Sequence, residues 1–174
     1  EYQTIDGFGG FGGFQAEWKG APQGSRAWAE QIVNDLGLTI HRYFLNHDDI
    51  EDSNDNGDPF DLDLSQFNVA GRFGEQIDVV KWLHEYNPHM KFFFSVLSPP
   101  AWMKVSGSQV GDGDPDNRLI MTPSIMNEFA EHMVGWIKLA TVHMGIDLYG
   151  LSLQNEPRFA QFYCSCVYTP EELR

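Results

Sequence analysis

The chain has 174 residues, of which 42% are hydrophobic and 21% are charged. This length and composition are typical of one globular domain with a substantial core, and they exclude a disordered chain. Eleven Lys and Arg residues against 25 Asp and Glu residues give a formal net charge of −14. That charge disfavours nucleic acid and anionic membranes as partners, because their phosphates would be repelled. No apolar run approaches the roughly 18 residues that a membrane span needs.

The first half of the chain alternates predicted strands and helices. Residues 4–10 predict a short strand that runs into a glycine-rich loop, and this loop lacks the GKS or GKT of a phosphate-binding loop. A helix is predicted over 25–36, and residues 39–45 predict the second strand. An acidic loop then leads to a helix predicted over 70–86. The apolar face of that helix consists of Phe73, Ile77, Val80 and Leu83.

The second half continues the same alternation. Residues 91–96 form a nearly continuous apolar strand, as expected for a parallel sheet that is covered on both faces. Thr122 and Pro123 are typical of an N-cap and first helical position, and residues 147–153 predict the fourth strand. The predicted buried stripe of the third helix is Phe129, Met133, Trp136, Ile137 and Ala140. The order β-α-β-α-β-α-β predicts an α/β fold of parallel β/α units.

The last six residues predict the start of a fourth helix. Thr169, Pro170 and Glu172 have the spacing of a capping box with proline at the first helical position, and the chain carries this helix for about one turn. We therefore expect residues 1–174 to be strands one to four of a (β/α)8 TIM barrel, truncated in the fourth helix. The chain begins at Glu1 rather than Met, so we also expect a processed or excised product.

The segment after the fourth predicted strand is the most informative one. Asn155 and Glu156 follow an apolar strand and are held by Pro157. Barrel enzymes place catalytic acids where strands end, so this position favours a catalytic acid over a surface loop acid.

Two further residues suggest a site. Trp102 follows two prolines in the loop after the third strand, where it could stack on a sugar or fill the core. Arg42 lies within an apolar strand, where an unpaired charge is costly, so it must pair with a substrate-site group, a structural partner or both. His41 and His47 are better explained by packing or hydrogen bonding than by metal ligation.

Four motifs in chain order resemble glycoside hydrolase family 30, which contains glucosylceramidases, endo-β-1,6-glucanases and glucuronoxylanases. The motifs are Ile5-Asp6-Gly7-Phe8-Gly9-Gly10, Ser98-Pro99-Pro100-Ala101-Trp102-Met103-Lys104, Gln154-Asn155-Glu156-Pro157 and Cys166-x-Tyr168-Thr169-Pro170-Glu171-Glu172. The resemblance spans essentially the whole chain and matches the first half of the family's catalytic barrel.

The resemblance implies a role for each candidate residue. Glu156 matches the general acid/base, and Asn155 matches the residue that binds the hydroxyl next to the reacting carbon. Trp102 matches an aromatic that packs against the sugar, Arg42 an arginine beneath the nucleophile, and Asp49 a residue that holds sugar hydroxyls. The implied activity is that of a secreted or periplasmic retaining glycosidase that cleaves β-linked glycans and needs no cofactor or metal.

The second carboxylate of such a mechanism is the point where the chain departs from the family. The family's nucleophile lies on the seventh strand, and four strands are predicted here, so we expect the nucleophile to lie outside this chain. Asp48, Asp49, Glu51 or Glu17 remain alternatives. A non-catalytic carbohydrate-binding protein derived from the same barrel is the alternative function, and the oligomeric state stays open.

Two other patterns bear on metal binding and crosslinking. Residues 52–63 match the opening of an EF-hand loop, with Gly57 at the sixth position, but they end in Asp63 rather than Glu and lack flanking helices. A solvated loop on the substrate side is therefore favoured over a calcium loop. Cys164 and Cys166 are too close for an unstrained disulfide and are expected to be plain thiols.

Overall fold

Four parallel strands, paired in sequence order, form the sheet of this protein. The computed structural model describes residues 3–12, 24–45, 51–70 and 72–174. The strands are β1 (Gly9–Phe11), β2 (Ile40–Leu45), β3 (Lys91–Val96) and β4 (Leu148–Ser152). Each neighbouring pair is parallel, so the carboxyl ends of all four strands lie at one edge of the sheet.

Helices connect the strands, as the sequence predicts. They are α1 (Arg26–Glu30), α2 (Arg72–Tyr86) and α3 (Pro123–Leu139). The Ser25 hydroxyl accepts from the Trp28 N–H at the start of α1, and the Thr122 hydroxyl does the same for Ile125 at the start of α3. Helix α1 continues as a π-helical turn (Gln31–Asp35), and helix α3 continues as a second π-helical turn (Ala140–Met144). The second turn ends at Gly145, which has the left-handed conformation with φ +72°. Short 3₁₀ segments span Leu64–Gln66 and Ala101–Met103.

The predicted fold class is confirmed, since the chain forms consecutive parallel β/α units. Three predicted details differ in the structure. Strand β1 is shorter than predicted and lies at the glycines and Phe11, where the strand was predicted to give way to a loop, and Ile137 is 38% exposed although it was placed in the buried stripe of α3. Residues 169–174 form a hydrogen-bonded turn rather than a helix. The capping box itself forms, because the Thr169 N–H donates to Glu172 Oε2 at 2.7 Å and the Glu172 N–H donates to Thr169 Oγ1 at 3.2 Å.

The core lies between the sheet and the helices α2 and α3. Its fully buried large side chains include Tyr43, Phe73, Leu83, Phe92, Phe94, Met103, Trp136 and Met144. Cys164 and Cys166 are buried thiols, as predicted. None of the helices in the described ranges is long and apolar enough to cross a membrane.

Candidate active site

An arginine on β2 ties together the carboxyl ends of β3 and β4. Arg42 Nε donates to Ser95 Oγ at 2.9 Å, and Arg42 Nη2 donates to Asn155 Oδ1 at 2.6 Å. The guanidinium also lies over the Phe44 ring, 4.4 Å from its centroid. Partial burial lowers the pKa of Arg42, and the Glu156 carboxyl partly opposes this change. A guanidinium remains charged in any case, so Arg42 is a fixed cation beside Asn155.

The Glu156 carboxyl is the centre of a second group of hydrogen bonds. Its Oε2 atom accepts from Gln161 Nε2 at 2.6 Å, from Tyr163 Oη at 3.3 Å and from Asn155 Nδ2 at 3.3 Å. The residue is exposed, and its φ of +44° lies in the left-handed region that non-glycine residues rarely occupy. Backbone strain of this kind concentrates at functional sites, where neighbouring contacts hold it in place.

Tyr163 remains a phenol beside this carboxyl. Burial and the neighbouring Glu156 carboxyl raise the pKa of Tyr163 above its ordinary value. A neutral phenol keeps its proton and can therefore donate it in a hydrogen bond to Glu156.

A buried lysine supports the loop that carries Gln161 and Tyr163. Lys104 is 3% exposed, and its ammonium donates to Ser98 Oγ at 3.0 Å and to the Ser165 carbonyl at 2.6 Å. Burial lowers the pKa of Lys104 to about 8. The Ser165 hydroxyl in turn accepts from the Gln161 N–H at 3.0 Å. Lys104 thus connects the loop after β3 to the loop after β4.

Trp102 is positioned by a chain of hydrogen bonds that begins on α3. Its Nε1 donates to the Glu51 carbonyl at 3.1 Å, and the Glu51 carboxylate lies 3.2 Å from His132 Nδ1. Trp136 Nε1 donates to His132 Nε2 at 3.0 Å. An indole N–H can only donate, so the His132 proton must be on Nδ1, from which it is donated to Glu51. Burial lowers the pKa of His132, so the imidazole is neutral.

The predicted site residues fall into three groups in the structure. Arg42, Asn155 and Glu156 are joined by direct hydrogen bonds. Trp102 lies half-buried in the 3₁₀ turn after β3, at the same edge of the sheet. Asp49, together with the alternatives Asp48 and Glu17 and with His47, lies outside the described residues.

Glu51 is unsuited to act as a nucleophile. It is 3% exposed, and its two carboxylate oxygens are engaged by the Asp55 N–H at 3.0 Å and by His132. A nucleophile must reach the sugar carbon, which a buried carboxylate held by these hydrogen bonds cannot do.

Sequence reasoning missed Ser95, Gln161 and Tyr163. Ser95 occupies a polar position in an otherwise apolar strand, and that break in the pattern was a usable signal. Gln161 and Tyr163 follow in an irregular loop with no periodicity, so nothing in the sequence indicated that they turn back to Glu156.

Parallel β/α units with a hydrogen-bonded carboxyl at the carboxyl edge of the sheet are arranged as in β/α-barrel enzymes. No family model matches the chain. The chain is 28% identical over 132 residues to the endo-1,6-beta-D-glucanase neg1 of Aspergillus fumigatus, across 70% of this chain and 26% of that protein. It is 27% identical over 130 residues to the endo-1,6-beta-D-glucanase BGN16.3 of Trichoderma harzianum, across 71% of this chain and 26% of that protein.

The fold of the chain is also similar to that of a solved structure. The glycoside hydrolase family 30 subfamily 8 xylanase Xyn30A from Clostridium acetobutylicum superposes with a TM-score of 0.72 at 24% identity, covering 98% of this chain and 37% of that chain. The predicted resemblance to glycoside hydrolase family 30 is therefore confirmed. The chain spans about a quarter of the length of the two curated relatives.

Proposed function

We propose that the protein carrying this chain is a retaining glycoside hydrolase of β-1,6-linked glucans, with Glu156 as its general acid/base. The observation that carries the proposal is the hydrogen bonding of the Glu156 carboxyl at the end of β4. Among the described residues, all three donors reach Oε2, which leaves Oε1 for the proton. A general acid passes such a proton to the leaving oxygen and later removes one from water.

Asn155 binds the sugar hydroxyl beside the reacting carbon. The Arg42 guanidinium can only donate, so its bond to Asn155 Oδ1 assigns the other end of the side chain as the amide nitrogen. The orientation of the amide is therefore set by Arg42, and the N–H₂ group faces Glu156 and the substrate. A hydrogen bond of this kind strengthens as charge develops on the sugar in the transition state.

The nucleophile is supplied from outside residues 1–174, which act as strands one to four of the catalytic barrel. A retaining glycosidase needs a second carboxylate about 5 Å from the first. Glu51, the alternative that lies within the described residues, is buried, and each of its carboxylate oxygens accepts a hydrogen bond.

The substrate proposal rests on the relatives and on the charge of the chain. Two curated relatives are named endo-1,6-beta-D-glucanases. A net charge of −14 favours a neutral glucan over a glycan that carries uronic acids. Trp102 offers an aromatic surface for a sugar ring, and Asp49 is proposed to hold sugar hydroxyls. A polymeric substrate of this kind implies a secreted or periplasmic enzyme.

The test compares Glu156→Gln with the unaltered sequence in the complete gene product. We expect hydrolysis of linear β-1,6-glucan to fall by about 10²- to 10⁴-fold, the usual contribution of a general acid. Aryl β-glucosides with a good leaving group should still form the glycosyl-enzyme, because their leaving group needs no protonation. Added azide should then restore turnover and give the β-glycosyl azide, identified by NMR.

The control is Glu171→Gln, an exposed acid in the C-terminal turn, which should keep full activity. Unchanged β-1,6-glucan hydrolysis by Glu156→Gln would contradict the assignment. Glucan binding without bond cleavage in the unaltered protein would instead favour a non-catalytic carbohydrate-binding protein.

A further inference from the structure

We propose that Asp55, Glu128 and Glu131 form a Ca²⁺ site between the loop at 51–63 and helix α3. One carboxylate oxygen from each of the three residues lies within 4.8 Å of the others. Glu128 and Glu131 are 5% and 7% exposed, respectively, and Asp55 is half-buried. The site is separate from the hydrogen bonds around Glu156.

The strongest indication of a bound cation is Glu131. Its Oε1 atom is fully buried, and no hydrogen-bond partner reaches it from the described residues. A buried carboxylate with an unbonded oxygen is costly unless a cation compensates it.

The neighbouring groups do not neutralise this charge. Glu51 adds a fourth carboxylate, and it contacts His132 Nδ1 at 3.2 Å. Within the described part of the chain, no Lys or Arg forms an ion pair with Asp55, Glu128 or Glu131. Lys138 lines a cavity of about 280 Å³ that also reaches Glu131, and this cavity offers a path for an ion.

The site differs from the EF-hand pattern of the same loop. The side-chain oxygens of the EF-hand pattern accept hydrogen bonds from backbone N–H groups. Asn56 Oδ1 accepts from the Asp58 N–H, and Asp58 Oδ1 accepts from the Phe60 N–H. Asp55 is held rigidly, since Oδ1 accepts from the Asn56 N–H and Oδ2 from the Asp63 N–H, both at 2.7 Å. Each of these carboxylate oxygens keeps a second lone pair for a cation.

The ligand type and spacing favour calcium. Carboxylate oxygens without nitrogen or sulfur ligands suit hard cations. Oxygens on opposite sides of Ca²⁺ stand about 4.6–5.2 Å apart, twice the Ca–O distance, against about 4.0–4.2 Å for Mg²⁺. The three carboxylate oxygens lie within 4.8 Å of one another, which is close enough for them to bind one Ca²⁺ together.

The experiment is calorimetric titration of the chelator-treated complete gene product with CaCl₂, paired with thermal melts in CaCl₂ or MgCl₂ of equal ionic strength. We expect one Ca²⁺ per chain and a higher melting temperature in CaCl₂ than in MgCl₂. Glu131→Gln should weaken Ca²⁺ binding by about 10- to 100-fold or more, since changes even outside the ligand shell cost that much. Without metal, the same variant should melt above the unaltered chain, because it relieves repulsion between the carboxylates.

The matched control is Glu30→Gln, an exposed acid on α1, which should bind Ca²⁺ like the unaltered chain. Equal melting shifts in CaCl₂ and MgCl₂, or Ca²⁺ binding that survives Glu131→Gln, would overturn the site and indicate screening of the general negative charge. Absence of binding, with stability that falls as pH rises through 7, would also overturn it and assign a shared proton to Glu128 and Glu131.

Discussion

At the scale of single residues, the candidate site depends on two hydrogen bonds that Arg42 donates. One nitrogen holds Ser95 on β3 and another holds Asn155 after β4, so one side chain fixes the spacing of two strand ends. A lysine would keep the positive charge but would be a single point donor on a flexible stem. Substitution of Arg42 by lysine therefore changes the hydrogen-bond geometry and keeps the positive charge.

Arg42→Lys tests this geometry in the complete gene product. We expect kcat/KM for β-1,6-glucan to fall by about 10- to 100-fold, equivalent to about 1.4–2.8 kcal/mol of lost transition-state stabilisation. The melting temperature should change little, since the charge is retained. Steady-state kinetics and thermal melts measure the two effects.

The control for this substitution is Arg26→Lys. Arg26 forms an exposed ion pair with Glu85 on α2, and its replacement should leave kcat/KM unchanged. Full activity in Arg42→Lys would mean that Arg42 contributes only its charge.

At the scale of elements, His41 makes β2 sensitive to acid. The ring is 2% exposed, packs 4.5 Å from the Tyr43 ring and contacts the Gly12 carbonyl at 3.2 Å through Nε2. Burial lowers the pKa of His41 from 6.5 to about 4. The folded state therefore holds this imidazole neutral, while the unfolded chain protonates it as the pH falls.

The sign of the pH dependence follows from this depressed pKa. The contribution of His41 to stability is complete above pH 6.5 and is lost as the pH falls from 6.5 towards about 4. The His41 contribution should amount to roughly 3 kcal/mol of unfolding free energy. His132 acts in the same direction, whereas Glu131, whose pKa burial raises to about 7, acts in the opposite direction. Urea unfolding of the chain between pH 7.5 and about 4 measures this slope.

Two variants separate His41 from general acid effects. His41→Gln should flatten the slope between pH 6.5 and 4, whereas the exposed His89→Gln should leave it unchanged. A slope that persists in His41→Gln would show that other groups control the acid sensitivity.

The elements were predictable where local chemistry and tertiary packing agree. The apolar run at β3 and the Thr122-Pro123 start of α3 were correctly predicted from sequence. The π-helical turns after α1 and α3 were not predicted, because an i→i+5 bond leaves no distinct pattern of side chains. Ile137 was misplaced because periodicity gives the direction of a face but not its width.

The candidate site was only partly predictable for a related reason. Glu156 and Asn155 follow a strand end, where position alone indicates a role. Gln161, Tyr163 and the chain from Trp136 to Trp102 depend on loop paths and on contacts between residues far apart in sequence. Such contacts are set by packing, which a single sequence does not reveal.

At the scale of the whole chain, the net charge of −14 on residues 1–174 affects charged ligands as well as the fold. A negatively charged glycan is repelled at long range, and salt weakens this repulsion because the Debye length falls from about 30 Å at 0.01 M to about 8 Å at 0.15 M. A neutral glucan feels no such force.

We therefore expect the KM of the complete gene product for linear β-1,6-glucan to stay within about twofold between 10 and 150 mM NaCl. Any turnover of glucuronoxylan should be weaker and should improve as salt is added, because screening removes the repulsion. Steady-state kinetics at the two salt concentrations separate these cases. Turnover of glucuronoxylan that falls as salt is added would instead indicate a cationic subsite that outweighs the overall charge, and would contradict the neutral-glucan proposal.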